Sequence, residues 1–211
     1  VEPIKYFSQA DQDRWVEKVT SSKRNGTFVD VGAFDGVTTS NTYYLEKNLG
    51  WTGICIEASP QFFERLKQIR TSVNVNKAVM PYTGTCKFTD ADMAVTEHGQ
   101  EVQCDTLTNI LDACSAPYVI DYMSLDIEGG EVGAIESLID SKYRFNLITV
   151  EHNLYFQGPK QKEEIYALLS ELGYIRVVDN APCLDPNPRW HMQPFEDWYA
   201  HQDYIPFANL T

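Results

Sequence analysis

The stretch from residue 27 to 41, T-F-V-D-V-G-A-F-D-G-V-T-T-S-N, constrains the fold more than any other part of the chain. Phe28, Val29 and Val31 make a short run of the aromatic and β-branched residues that suit a buried strand. Gly32 and Gly36 bracket a turn, and Thr38, Thr39, Ser40 and Asn41 then offer side-chain oxygens that can cap a helix. Strand, glycine turn and helix in that order put the turn at the carboxyl edge of a parallel strand, where open α/β sheets bind ligands. Neither G-x-G-x-x-G nor G-x-x-x-x-G-K-[ST], the phosphate-cradling patterns, is present. The turn carries two carboxylates instead, Asp30 and Asp35. These repel a pyrophosphate and suit a ligand with an ammonium or sulfonium group, so S-adenosylmethionine fits better than a nucleotide phosphate. An ordinary βα loop with an acidic helix cap is the alternative.

A length of 211 residues, 43% of them hydrophobic, is enough for one domain with a substantial core. The formal charge of −13 argues against a nucleic-acid groove or an anionic membrane surface, both of which need clustered Lys and Arg. No apolar run approaches membrane-spanning length, and no signal-peptide pattern opens the chain. The five cysteines (Cys55, Cys86, Cys104, Cys114 and Cys183) form no C-x-x-C, which points to reduced thiols in a reducing, cytoplasmic compartment rather than to zinc or disulfides. Val1 in place of a start methionine suggests a domain excised from a longer multidomain protein, or a processed chain.

Taken in order, residues 9–23 read as an amphipathic helix with Trp15, Val16 and Val19 on its apolar stripe, placed as a cap on the sheet edge. A helix over 42–49 stops at Gly50, and 51–57 is the next strand. That strand ends in Glu57, about twenty positions beyond the glycine turn, where a carboxylate accepts both hydroxyls of an adenosine ribose. Pro60 opens a helix through Arg70, and 73–79 is expected as the third strand. Short alternating segments between Cys86 and Cys104 suggest a small β insertion before the fourth core strand, and Thr106 caps a helix to Cys114. Strands over 118–126 and 145–151, a helix over 160–172 and a strand over 174–178 follow. The N-L-Y-F-Q-G run at 153–158 resembles a protease tag but lies within this pattern, so it is read as native. The Pro- and aromatic-rich segment 182–211 (Trp190, Phe195, Trp198, Tyr199, Tyr204, Phe207) is expected to wrap the fold, lining the acceptor cleft or serving as a structural tail. The alternation as a whole predicts an α/β, doubly wound, mostly parallel sheet of the seven-stranded type, with helices on both faces.

The strand at 118–126 ends in D-I-E-G-G-E, which gathers Asp126, Glu128 and Glu131 at the ligand edge beside Glu151 and His152 of the next strand. A helix N-cap needs one carboxylate; this many suggests chemistry. A hydrogen-bonded loop histidine is the plainer reading of His152, and a helix-start carboxylate that of Glu128. A nicotinamide-dependent oxidoreductase would keep Glu57 but needs a third glycine and a turn that tolerates pyrophosphate. A non-catalytic binding module would dispense with the acidic cluster.

With F-V-D-V-G-A-F-D-G-V, S-N-T, G-W-T-G-I-C-I-E-A-S-P, N-K-A-V and L-D-I-E-G-G-E in this order, the chain resembles an FkbM-type methyltransferase over roughly residues 26–173. The resemblance implies a class I fold and S-adenosylmethionine-dependent O-methylation of a hydroxyl on a sugar or glycan acceptor, such as a deoxysugar. It implies a partnership with glycosyltransferases, fused or separate. Asp30, Gly32, Ala33, Asp35 and Gly36, with Ser40, Asn41 and Thr42 of the S-N-T run, would surround the methionine part of the cofactor. Glu57 and Ala58 would take the ribose, Ser59 and Ala78 would flank the adenine, and Asp126 would border the cofactor. Similar sugar methyltransferases imply a divalent ion, Mg²⁺ or Mn²⁺, on Asp126, Glu151 and His152, although a histidine departs from their all-carboxylate pattern. His152 is the first-choice general base, Glu128 the second, and Asp126 orients the acceptor.

Overall fold

The computed structural model describes residues 5–152, 154, 158–187, 189 and 191–204. Helix α1 (Gln12–Val19) leads into strand β1 (Thr27–Val31), helix α2 (Tyr43–Leu49), strand β2 (Thr52–Ile56), helix α3 (Pro60–Ile69) and strand β3 (Val73–Val75). The local signals end these elements as expected. Gly50 closes α2 in the left-handed region at φ 71°, and Ser59 Oγ accepts from the Phe62 amide at 3.2 Å to start α3, with Pro60 in the first turn. Strands β4 (Ala78–Val79), β5 (Gly84–Thr89), β6 (Ala94–Val95) and β7 (Gln100–Asp105) form the insertion. Then come α4 (Leu107–Ala113), β8 (Val119–Leu125), α5 (Glu131–Glu136), β9 (Arg144–Glu151), α6 (Pro159–Glu171), β10 (Tyr174–Pro182) and β11 (Pro194–His201).

The main sheet has seven strands in the order β10-β11-β9-β8-β1-β2-β3. The strands from β9 to β3 run parallel, and β11 lies antiparallel between β9 and β10. The chain order reverses between β1 and β8, which creates the crevice at their carboxyl ends. One face of the sheet packs Val31, Leu125, Ile148 and Val150 against α4, α5 and α6 through Leu111, Ile135, Ile165 and Leu169. The other packs Phe28, Tyr122, Leu147 and Trp198 against α1, α2 and α3 through Val16, Leu45 and Leu66. This is the doubly wound architecture the alternation predicts. Among the described residues no helix is long and apolar enough to cross a membrane.

Three local expectations change. The segment 73–79 is not one strand: the Asn76 side-chain amide donates to the carbonyls of Glu57 (2.8 Å) and Ala58 (3.1 Å), which turns the chain off the sheet. Ala78–Val79 pairs with β7 instead, in a second, four-stranded sheet ordered β4-β7-β5-β6. Helix α1 packs over the inner strands rather than capping an edge, its Trp15 ring 4.8 Å from that of Trp198. In the segment expected to wrap the fold, Pro194–His201 is an interior strand, β11, with every residue from Phe195 to His201 buried. Trp190, Phe207 and most of the N-L-Y-F-Q-G run lie outside the described residues.

Candidate active site

Side chains on a strand alternate between faces, so register decides which groups meet. Asp30, Ser124, Thr149 and Trp198 are successive partners across β1, β8, β9 and β11 and share the face covered by α1 and α2. Two residues further along, the same face carries Glu151 opposite Glu196, with Asp126 following the end of β8. Val31 O accepts the Asp126 amide at 3.0 Å, which ties the β1 turn to the end of β8. Gly32 sits in that contact at φ 89°, and a Cβ there would come 1.7 Å from Asp126 O, so no other residue fits.

Between the carboxyl edge of the main sheet and the inserted sheet lies a cavity of about 840 Å³. Gly32, Glu57, Ala58, Ala78, Asp126, Glu128 and Glu151 line it, seven of the residues expected at the site. Glu57 is held from behind: Oε2 accepts from the Phe34 amide at 2.8 Å and Oε1 from the Ser59 amide at 2.7 Å. Burial pushes this carboxyl up to about 7 against the pull of both amides. Phe34 and Phe62, with ring centroids 4.0 Å apart, and Met80 and Phe88 add apolar wall that the motifs did not signal. Gln9, Cys183, Asp185, Arg189 and Phe195 also border the cavity. The Leu184 amide donates to Gln9 O at 2.7 Å and stitches these two segments together.

The acidic groups converge. Oxygens of Asp126, Glu131 and Glu151 all lie within 4.8 Å of one another. Glu131 is fully buried and gathers the Asp126–Gly130 turn, accepting from the Ile127 amide (2.9 Å) and the Gly129 amide (3.0 Å to Oε2), while the Gln161 amide nitrogen also reaches it. Burial pushes Glu131 up to about 7, and burial with the adjacent charge of Asp126 drives Glu151 well above the usual carboxylate range. Glu151 Oε2 is buried without a hydrogen-bond partner among the described residues. Glu196 is likewise buried, contacted by the Trp198 indole N–H, and pushed up to about 8 by burial. Nothing in the sequence marks Glu196, because with Asp197 it interrupts the apolar pattern of its strand. Glu128 stands in the left-handed region at φ 55°, beside Gly129 at φ 114°.

Other expected site residues are placed elsewhere. His152 follows Glu151 and therefore points to the opposite face, where its Nε2 is 3.3 Å from Asp197 Oδ1; it neither lines the cavity nor joins the carboxylate cluster. Asp30 is buried under the turn, accepting from Thr42 Oγ1 at 2.5 Å and facing Arg70, whose Nη1 is 3.7 Å away. Burial raises its pKa and Arg70 opposes the rise. Asp35 bonds inward to the amides of Val37 (3.0 Å) and Thr38 (2.8 Å), so it closes the loop on itself. Ser40 Oγ accepts from the Tyr43 amide at 3.1 Å and starts α2; Asn41 Nδ2 donates to Ser124 Oγ at 2.8 Å. Ala33 and Gly36 shape the turn, the Gly36 amide donating to Ala33 O at 2.9 Å, and Ser59 caps α3. None of these residues lines the cavity.

The sequence profile of the methyltransferase FkbM domain matches residues 30–176. No curated protein matches the chain. Solved structures similar to it include a Clostridium thermocellum protein described as an rRNA-methylase, at 10% identity and a TM-score of 0.51, covering 94% of this chain and 97% of that one. The METTL16 MTase domain is similar at 12% identity and a TM-score of 0.50, covering 89% of this chain and 64% of that one. At such identities the likeness is one of fold. The profile match takes in most of the chain, from the β1 turn past Glu57 to Asp126 and Glu151, and the chain accordingly belongs to the FkbM family of S-adenosylmethionine-dependent methyltransferases.

Proposed function

We propose that this enzyme methylates a hydroxyl of a sugar or glycan, acting on products of glycosyltransferases. The observation that carries the reading is one cavity with two carboxylate ends: Glu57 cradled by two amides, and the Asp126–Glu151 pair. Glu57 suits the ribose hydroxyls of the cofactor, with Ala58 and Ala78 beside its adenosine and Gly32 beside its methionine part. Asp30, Asp35, Ser40 and Thr42 serve that end by holding the turn. FkbM membership supports the sugar acceptor at the other end.

In the reaction the acceptor oxygen attacks the methyl carbon in line with the sulfonium. The new C–O bond forms as the C–S bond breaks, its electron pair stays on sulfur, and the hydroxyl proton passes to a carboxylate. We assign that proton to Glu128, which borders the cavity, in preference to His152 on the far face. A divalent ion fits an all-oxygen set of Asp126, Glu151 and Glu131, and the unpartnered Glu151 Oε2 supports the assignment. When bound, such an ion supplies positive charge beside the acceptor oxygen.

The test is transfer of labelled methyl from S-adenosylmethionine to a panel of mono- and oligosaccharides, before and after exhaustive chelation. Methylated sugar is expected, with activity lost in chelator and restored by Mg²⁺ or Mn²⁺. No product with any sugar would remove the acceptor assignment. Full activity in chelator, with Asp126→Asn still impaired, would keep Asp126 in the reaction and remove the metal.

A further inference from the structure

Strand order measures the cavity. From β2, which ends beside Glu57, to β11 there are four strand spacings, roughly 19 Å along the carboxyl edge of the sheet. Asp126 and Glu151, at the ends of β8 and β9, stand between. Beyond them the wall is Phe195, whose carbonyl accepts the His152 amide at 3.3 Å and whose side chain packs with Ala10 and Cys183. Two segments outside the sheet complete this end. The Leu184 amide, in the loop from β10 to β11, donates to Gln9 O at 2.7 Å. The loop is closed by the Met192 amide on Cys183 O at 2.8 Å, and the Ala10 amide is held by Gln12 Oε1 at 2.8 Å.

Main-chain bonds thus fix the wall and leave two polar side chains, Gln9 and Asp185, both half-buried, to line the cavity. Asp185 uses one oxygen, Oδ1, for the Asn187 amide at 2.7 Å. The Gln9 side-chain amide makes no hydrogen bond among the described residues. A carboxylate that accepts and an amide that both donates and accepts match a pair of hydroxyls, each of which does both. The wall lies about one strand spacing, ~5 Å, beyond Glu151, the scale of a single sugar ring. We infer that Gln9 and Asp185 determine acceptor specificity, reading hydroxyls on the side of the sugar ring remote from the one methylated, with Phe195 as its apolar backing. The inference rests on the sugar-acceptor reading of this cavity and narrows it: the acceptor keeps free hydroxyls at the positions read, and a ring deoxygenated there is refused.

The test takes the best acceptor of the saccharide panel and each of its monodeoxy forms. Acceptor kcat and KM are measured for the wild type, Gln9→Ala, Asp185→Ala and Asp185→Asn, with S-adenosylhomocysteine affinity by calorimetry and thermal melts to confirm folding. Asp185→Ala should raise the acceptor KM about tenfold and Gln9→Ala about fivefold, with kcat and S-adenosylhomocysteine affinity unchanged. Asp185→Asn, which still accepts a hydrogen bond, should recover part of the loss. One deoxy form should be poor for the wild type yet equal to the parent sugar for Asp185→Ala, because the hydroxyl it lacks is the one that Asp185 reads. An unchanged acceptor KM, or a rise that is the same for every deoxy form, would overturn the inference and leave the sugar reading standing. A wild type that methylates no sugar would remove that reading, and this inference with it.

Discussion

Glu57 holds a buried carboxyl whose pKa is raised to about 7, so in the empty protein it is largely protonated below that pH. Two hydroxyl donors favour the ionised form, and cofactor affinity is therefore expected to climb as pH rises through about 7 and then level off. Glu57→Gln should flatten that profile, and Glu57→Ala should weaken binding by about 1–3 kcal/mol, both read by calorimetry. His152 makes the opposite case. Buried against Asp197, it should be dispensable for proton transfer: His152→Gln is expected to lower the melting temperature but leave the shape of the pH–rate profile unchanged. Glu57 was legible in the sequence because strand-end position and charge both survive one-dimensional reading. The orientation of His152 was not, because adjacent residues on a strand face opposite sides and only register says which side holds the site.

The helices and strands around the β1 turn are joined by one cation. Arg70, at the end of α3 and fully buried, donates from Nε to Glu46 of α2 at 2.7 Å and from Nη2 to Thr42 Oγ1 at 2.8 Å, beside Asp30 of β1. Arg70→Ala leaves two buried carboxylates without it, and a loss of about 3–5 kcal/mol is expected from denaturant unfolding, with weakened cofactor binding because the turn loosens. Asp30 announced itself in the sequence as a ligand-facing acid. The structure instead gives its charge a partner some forty residues later in the chain, a pairing that no local pattern encodes. Element boundaries set by local signals were legible: Gly50, Pro60 and Thr106 all end or start helices as expected. The split of 73–79 was not, since it depends on the Asn76 side chain bonding across to the end of β2. Strand β11 was hidden because Glu196 and Asp197 interrupt its apolar pattern, and those two acids are buried by tertiary packing alone.

Across the whole molecule the buried acids set an unusual pH balance. Glu57 and Glu131 are raised to about 7 and Glu196 to about 8, from an ordinary 4.5. Between those values the folded chain keeps protons that the unfolded chain releases, so stability falls as pH rises from about 4.5 to 8, by at most about 3 kcal/mol each for Glu57 and Glu131 and about 5 kcal/mol for Glu196. Glu46 is lowered to about 2 by Lys47, the Thr71 amide and Arg70, and Asp105 and Asp197 are also lowered; their contribution is present above the ordinary carboxylate range and lost in stronger acid. The empty enzyme should therefore melt at a higher temperature near pH 5 than at pH 8, and Glu196→Gln should narrow the difference in scanning calorimetry.

The place of β11 in the sheet also orders the events of folding. Its residues come after those of β9 and β10, yet it lies between them and pairs with both. During synthesis β9 and β10 must each wait with an unpaired edge until residues 194–201 leave the ribosome, a period in which a nascent sheet is open to wrong pairing. Glu196 meets Glu151 only when that last strand enters. The carboxylate row is thus completed only by the entry of β11, so a partly made chain would hold the β1 turn long before it held the full row of acids.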